Sequence, residues 1–589
     1  MAITKVTSKV LEDNVTVAGN LEVSSGTIKL DGNYPTGTNN VALGDIALAD
    51  GSLSGGNNTA IGRSSLYSNT SGGSNTGIGS GALENNTTAS NNTAVGYHSL
   101  LANTTGTQNV GVGRDALKAN TTASYNTAVG DEALLSNTTG AENNAFGQGA
   151  LRSNTTASSN TAIGNGTLRT NTTGGNNVAI GGGALFANTT GANNVAVGAL
   201  SLDANTTGSR NTAVGYNTLS AYTQTGEGNS TAVGYIAGAS LTTGLSNTAI
   251  GSRALTSTTT ASNNTAVGYK SLEANTTGTY NTALGREALK VNTTAAANTA
   301  IGNQALVANT TGQYNTALGS GALLSNTTAS NNTAVGLNAL VLNTTGADNT
   351  AMGRNALDAC TTGVNNVAIG ESALSTATTA SGNTAIGKDA LALASGGGNT
   401  AVGKKAGDAI QTGSNNVLIG DTVDAAHDTS NSITIGVSIT GSDNEFRFGK
   451  ASNVVSNTFT SNASWTRTSD VHKKTNIEND TLGLDFINDL RTVTFNWKPN
   501  SEFPQHYDDY SETENHMDTE TKLHGMIAQE VKEALDKQGV DTFGGWSEEK
   551  DGSQKISQEM FVHPLIKAVQ ELSSQVEELK IEIQTLKGE

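Results

Sequence analysis

Near the C-terminus the chain reads Ser469-Asp470-Val471-His472-Lys473-Lys474-Thr475-Asn476-Ile477. A hydroxyl stands within a few residues of two amines. A serine hydroxyl is a weak nucleophile until a neighbouring base takes its proton. A lysine serves as that base when burial draws its pKa down from about 10.4. On its own, a Ser-Asp pair with two lysines reads as a solvated linker, so the chemistry depends on the surrounding chain. Other candidates are weaker. The single cysteine, Cys360, stands where an Asn recurs elsewhere; it reads as a neutral replacement, and no internal disulfide framework exists. The Asn-Thr-Thr triplets match the glycosylation acceptor pattern, but the start of the chain carries no apolar run of signal-peptide length, and they read as turns. Tyr97, Tyr216, Tyr235 and Tyr269 could stack on sugars, yet as a recurring feature they read as surface decoration. Nothing calls for a metal ion or a cofactor.

The segment that would position Ser469 and Lys474 differs in composition from what precedes it. All three tryptophans, Trp465, Trp497 and Trp546, lie beyond residue 460, as do five of the seven histidines. This is the composition of an ordinary globular domain. Its last stretch carries Leu565, Leu572, Leu579 and Leu586 at steps of seven, interleaved with Val562, Val569, Val576 and Ile583. That is a coiled-coil seam from 562 to 586, of a kind that by itself favours parallel dimers.

Three further phrases follow the serine: "GLDFINDLRTVTFNWKP" from Gly483, "HGMIAQEVKEAL" from His524 and "HPLIKAVQELSSQVEELK" from His563. In this order and spacing, residues 469–589 resemble the intramolecular chaperone domain of endosialidases and other phage tail spikes and fibres, the S74 peptidase family. The resemblance implies a small α+β domain that trimerises, promotes assembly of the fibre ahead of it and then cuts itself off. It implies a scissile Thr468–Ser469 bond, Ser469 as nucleophile and Lys474, five residues on, as its base; Lys473 is not at the matching position. His472 stands where the family often has Arg. His524 and Gln529 match the family's HGxIAQEV phrase and are implied to position or polarise the scissile carbonyl.

The preceding 400 residues are a repeat. A glycine closes an "NTAVG"-like phrase at every seventeenth position from Gly62 to Gly215 and again from Gly234 to Gly387, with one step of 19 between the two runs. Counting the looser ends, there are about 24 copies between Gly44 and Gly436. A fixed short period marks a stacked array. Asn, Thr and Gly are poor helix formers, "TAVG" is a short β phrase, and "NTTG" reads as a turn. The expected fold class is therefore mostly β: a β-solenoid or β-roll rod over 38–437, one narrow coil per copy. In the copy from Asn92 to Gln108, Val95 and Leu100 are expected in the core and Asn103-Thr104-Thr105 in a turn. Equivalent asparagines should form ladders. At about 4.8 Å per coil the rod would run roughly 115 Å. So thin a core predicts lateral association of several chains. The repeat resembles the short-period "AIG" repeats of trimeric β-roll adhesin heads and some phage fibres, whose period is not 17. Residues 1–37 read as a cap or a virion-attachment segment, and 438–468 as a transition.

Composition excludes several functions. The net charge of −18 argues against nucleic acid and anionic membrane as partners. No stretch approaches 18 consecutive apolar residues, so no membrane insertion is expected. Together with the resemblance, these features predict a homotrimeric bacteriophage tail fibre. It would be made in the host cytoplasm, resident in the virion, joined to the phage baseplate or tail at its N-terminus, and in contact with a host-surface receptor such as a glycan or outer-membrane component. A polysaccharide-degrading spike would need paired carboxylates in a cleft, and the array has few acids and no substantial insertion. An array of this kind would also suit a structural or ice-binding solenoid, or a bacterial adhesin.

Overall fold

The computed structural model describes residues 38–588 except 51, 452, 459–465, 468–470, 508, 514 and 516. By its internal contacts the chain divides into two compact units, Met1–Thr468 and Ser469–Glu589. The first is a β-solenoid of 17-residue turns. Each turn contributes one short strand, paired in parallel with its successor: Thr93, Ala94 and Val95 lie against Val110, Gly111 and Val112. The glycine after each strand is obligatory. Gly96 has φ of +135°, and a Cβ there would sit 2.3 Å from the Gly113 carbonyl oxygen.

The turns stack as regularly as the strands do. After Gly96 the chain takes left-handed conformations at His98 (φ 54°) and Leu100 (φ 52°), which cost about 1–2 kcal/mol each for non-glycine residues. The geometry aims N–H groups along the stacking direction. His98 N–H reaches back to the Ser80 carbonyl at 3.0 Å, and Leu100 N–H reaches forward to that of Ala116 at 2.9 Å. Loop backbone that would otherwise need water is thus hydrogen-bonded to the coils on either side.

Leu100 is fully buried, as expected. Val95 is not a core residue: it points outward and is only half-buried. The strand's inward residue is Ala94, with no exposed surface. A three-residue strand sends only its middle side chain inward, and that position holds Ala or Gly from Ala42 to Ala401, widening to Leu418 and Thr434 only at the end of the array. Asn103 also departs from the expected turn: its side chain is buried, and the bend lies at Thr104 and Thr105.

Two asparagine ladders fill the rest of the interior. In one, Asn75 Oδ1 accepts the N–H of Asn92 at 3.0 Å, and Asn92 Oδ1 accepts that of Asn109 at 2.9 Å. In the other, Asn103 Nδ2 donates to Asn86 Oδ1 at 3.0 Å and to the Gly106 carbonyl at 2.9 Å, while Asn120 Nδ2 donates to Asn103 Oδ1 at 2.8 Å. This second ladder runs one way, and it is interrupted. Tyr222 follows Asn205 in the column, and Cys360 follows Asn343. At those two ends Asn205 Oδ1 and Asn343 Oδ1 are buried with no donor. Tyr222 belongs to the 19-residue turn. Its ring is fully buried, and the extra residues pair Gly226–Glu227 in parallel with Gly208–Ser209. Parallel stacking continues beyond residue 437: Glu445–Lys450 lies on Ile433–Val437, and then the chain reverses into antiparallel Asn453–Thr458.

Among its described residues the second unit holds three α-helices, α1 (Leu484–Asp489), α2 (Ala528–Lys537) and α3 (Val562–Leu586). Two small hairpins pair Val493–Phe495 with Leu523–Gly525 and Trp546–Glu548 with Gln554–Ile556. Its core is an aromatic cluster: Phe486 and Phe561 stack with ring centres 6.2 Å apart, and Phe543 meets Phe561 edge-on at 5.2 Å. Val531, Ala534 and Leu535 of α2 close over them. Glu571 of α3 accepts the Leu484 N–H at 2.7 Å, which caps the start of α1 and holds this carboxyl below its ordinary pKa. No residue of the heptad series of α3 belongs to this core cluster. Leu565, Leu572 and Leu579 are about half exposed, at 51, 48 and 56%. No described helix is long and apolar enough to cross a membrane.

Candidate active site

The motif residues are positioned by short elements around the first hairpin. Val471–Lys473 forms a single 3-10 turn, closed by the Lys474 N–H on the Val471 carbonyl at 3.2 Å. The Lys474 side chain is exposed in the single chain, as is His472. Thr468 and Ser469 lie outside the described residues.

His524 sits at the centre of its strand, opposite Thr494. Strand alternation turns it away from its neighbours Leu523 and Gly525, and it is exposed. It lines a shallow groove with Thr492, Thr494, Met526 and Gln558. Two residues after this strand the chain enters α2, which puts Gln529 in the first turn of the helix, also exposed. Gln529 lines the adjoining, larger groove, of about 860 Å³, walled by Val493, Phe495, Trp497 and Phe503. Phe495 and Trp497 meet edge-to-face at 5.4 Å. The two grooves share Val493, Thr494, Gly525, Met526 and Gln558. His524 and Gln529 are therefore brought to one hairpin–helix junction, and Lys474 lines neither groove.

At the rim of the larger groove the Arg491 guanidinium grips the Glu530 carboxylate, with Nε 3.1 Å from Oε2. The pairing holds the Glu530 carboxyl below its ordinary pKa. The sequence does not mark Arg491, Trp497 or Gln558 as site residues. The first two lie inside a quoted phrase, but only the hairpin register reveals that they face a groove. Chemically the junction offers two adjoining grooves, a shallow one lined by the His524 imidazole and a larger apolar one lined by the Gln529 carboxamide, each side chain able to donate a hydrogen bond to a carbonyl. Among the described residues no group of His, Cys, Asp and Glu is arranged to hold a metal ion.

The array offers no comparable chemistry. Cys360 is buried, and burial pushes its thiol pKa up, away from the thiolate needed for reactivity. The tyrosines after the repeat glycine are exposed, and Tyr216 and Tyr235 stack on consecutive coils with ring centres 5.7 Å apart.

No curated protein and no solved structure matches the chain. Residues 469–540 match the model of the family described as chaperone of endosialidase, the peptidase S74 family. The second unit therefore opens with a segment similar to the chaperone domains of a self-cleaving peptidase family, a likeness that points to a role in folding.

Proposed function

We propose that the chain is the shaft of a homotrimeric bacteriophage tail fibre, assembled by its C-terminal unit and then separated from it by self-cleavage. The observation that carries this reading is the pairing of a chaperone-of-endosialidase match at 469–540 with an array of near-identical coils. An array that repeats every 17 residues specifies its register weakly, since a slip of one coil loses little pairing energy. A clamp that brings the chains together at one end removes that ambiguity. Removing the clamp afterwards leaves the assembled shaft kinetically trapped. The N-terminal residues 1–37 would join the phage tail or baseplate, and the far surface would meet a host glycan or outer-membrane component. The product would be made in the host cytoplasm and reside in the virion.

In the cleavage step, Ser469 Oγ attacks the carbonyl carbon of Thr468 while Lys474 takes the hydroxyl proton. Proximity favours this attack because nucleophile and target belong to adjacent residues. Collapse of the tetrahedral adduct breaks the Thr468–Ser469 C–N bond, giving an ester on Ser469 and a free Ser469 amine. Water then hydrolyses the ester to the Thr468 carboxylate and regenerates the hydroxyl. His524 and Gln529 donate to the developing oxyanion. Lys474 is exposed in one chain, and packing against other chains in the trimer would withdraw it from water, which couples cleavage to assembly. The test is intact-mass measurement of the full chain beside Ser469→Ala and Lys474→Gln. Wild type should yield 1–468 and 469–589, and both variants should remain whole. A wild-type chain that stays whole, or a Ser469→Ala chain that splits, would overturn the mechanism.

A further inference from the structure

The outward face of the strands is unlike the rest of the array surface. Each strand turns two side chains outward, one on either side of the buried middle residue. The residue before the glycine forms one column, from Leu43 to Ile435. All 24 of its members are Val, Ile, Leu, Phe or Met. The other outward column is Thr, Val or Ile, with a single Asn at 144. Neither contains one charged residue. Charge stands in other columns: after the glycine, where Arg114 pairs with Asp131 on the next coil at 2.8 Å and Lys388 with Glu371 at 3.1 Å, and ahead of the strand, where Arg210 pairs with Glu227 at 2.7 Å. Stacking covers the aliphatic column only partly: Ile180 remains 36% exposed, Phe146 40% and Leu318 44%.

The size of this face decides what it is for. Three residues at about 3.3 Å and coils at about 4.8 Å give close to 50 Å² per coil, or on the order of 1,100 Å² over 24 coils. About half of it, the aliphatic column, is apolar throughout, already more than the few hundred Å² that monomeric proteins leave uncovered, and about 800 Å² per partner suffices for a stable interface. The occupant must be as long, as regular and as uncharged as the face itself, and another copy of this chain satisfies all three conditions. The heptad series on α3 supplies an independent reason to choose it. Leu572 and Leu579 are exposed at coiled-coil spacing, and a parallel seam sets copies side by side in the same direction. Parallel copies present the same column at the same height.

We propose that this uncharged Thr/aliphatic strand face is the surface on which copies of the chain pack along the length of the array, parallel and in register. The inference rests on the trimeric reading above and adds to it the face that is used. Asn144, Phe146, Met352 and the 19-residue turn interrupt the periodicity and give a register shifted by one coil a poorer fit.

Thiol labelling of the full chain tests the proposal. In a Cys360→Ala background, a fit already made by the buried Ala377 and Ala394 at equivalent positions, one thiol is introduced by Ile180→Cys on the face. A second variant carries Asn165→Cys on the exposed charged side. Native mass and the rate of reaction with a maleimide are measured for both. A trimeric mass with labelling of Ile180→Cys at least about tenfold slower than that of Asn165→Cys is expected, because the centre of an interface excludes solvent. A trimer in which both react equally would overturn the inference and leave the trimeric reading standing; it would assign the face to a host surface or to solvent. A monomeric mass would overturn both. Ile180→Lys provides a second readout: it should lower the trimer fraction while Asn165→Lys does not, with the β signal in circular dichroism retained in each.

Discussion

The array and the C-terminal unit solve opposite problems. Inside the array, nearly every polar group is satisfied by the same chain. Asn103 and its equivalents bond to the coils before and after them, and even the left-handed turns pair coil to coil. The C-terminal unit has a small aromatic core, and it leaves its candidate site residues open. Lys474, His524 and Gln529 are exposed, and a 25-residue helix holds out an apolar seam. A repetitive interior supplies stability everywhere and positional information almost nowhere. In the proposed assembly an irregular domain with an open apolar seam supplies position, because copies can complete it in one way.

This contrast makes differential predictions. The largest effect should come from Phe486→Ala, which hollows the aromatic cluster at a cost of about 3–5 kcal/mol, a large share of the 5–15 kcal/mol typical of a domain. Calorimetry should show the transition of the C-terminal unit lost and that of the array retained in whatever chain remains soluble. Leu168→Ala removes a fully buried side chain from the array at about 2–5 kcal/mol. Because each coil touches only its neighbours, hydrogen exchange should accelerate in coils near 168 and stay unchanged in coils near 340.

A smaller effect concerns Asp424. Burial, aided by the nearby Asp408, raises its pKa from 3.8 to about 6. The stability its protonated form contributes is full below pH 3.8 and is lost as pH rises through about 6. Asp424→Asn should keep accepting the Ala409 and Ala425 N–H groups, at 3.2 and 2.8 Å. At pH 7 the variant should protect the last coils by about 1–2 kcal/mol relative to wild type, allowing for partial solvent screening, and the difference should vanish near pH 4. The smallest effect is a near cancellation. Cys360→Asn would give Asn343 Oδ1 its missing donor, but it moves the buried unpaired oxygen one coil on, because Ala377 offers no donor, so hydrogen-exchange protection of the coils near 343 should change by less than about 1 kcal/mol.

Much of this is legible in the sequence. The period, the Leu column and the asparagine ladders announce themselves because stacking multiplies each signal some two dozen times. The seam of α3 is legible for the same reason. Val95 misleads because a three-residue strand is too short to show which alternate is inward, and hydrophobicity alone favours Val over Ala. Asn103 misleads because "NTT" is a turn phrase by composition, whereas here only the two threonines bend and the amide serves the interior. In the C-terminal unit the motif marks His524 and Gln529. The groove walls at Arg491, Trp497 and Gln558 depend on pairing across some thirty residues of intervening chain, which no local pattern encodes.

The central claim is that the cleavage site is completed by assembly. The most direct measurement follows intact and native mass over time in the full chain and in a Leu572→Asp, Leu579→Asp variant, which alters exposed seam positions and leaves the aromatic core untouched. The account predicts that wild type passes from uncleaved chain to trimer to fragments 1–468 and 469–589, while the seam variant stays monomeric and whole with its near-ultraviolet aromatic signal intact. A seam variant that splits at Thr468–Ser469 as a monomer, at the wild-type rate, would contradict it.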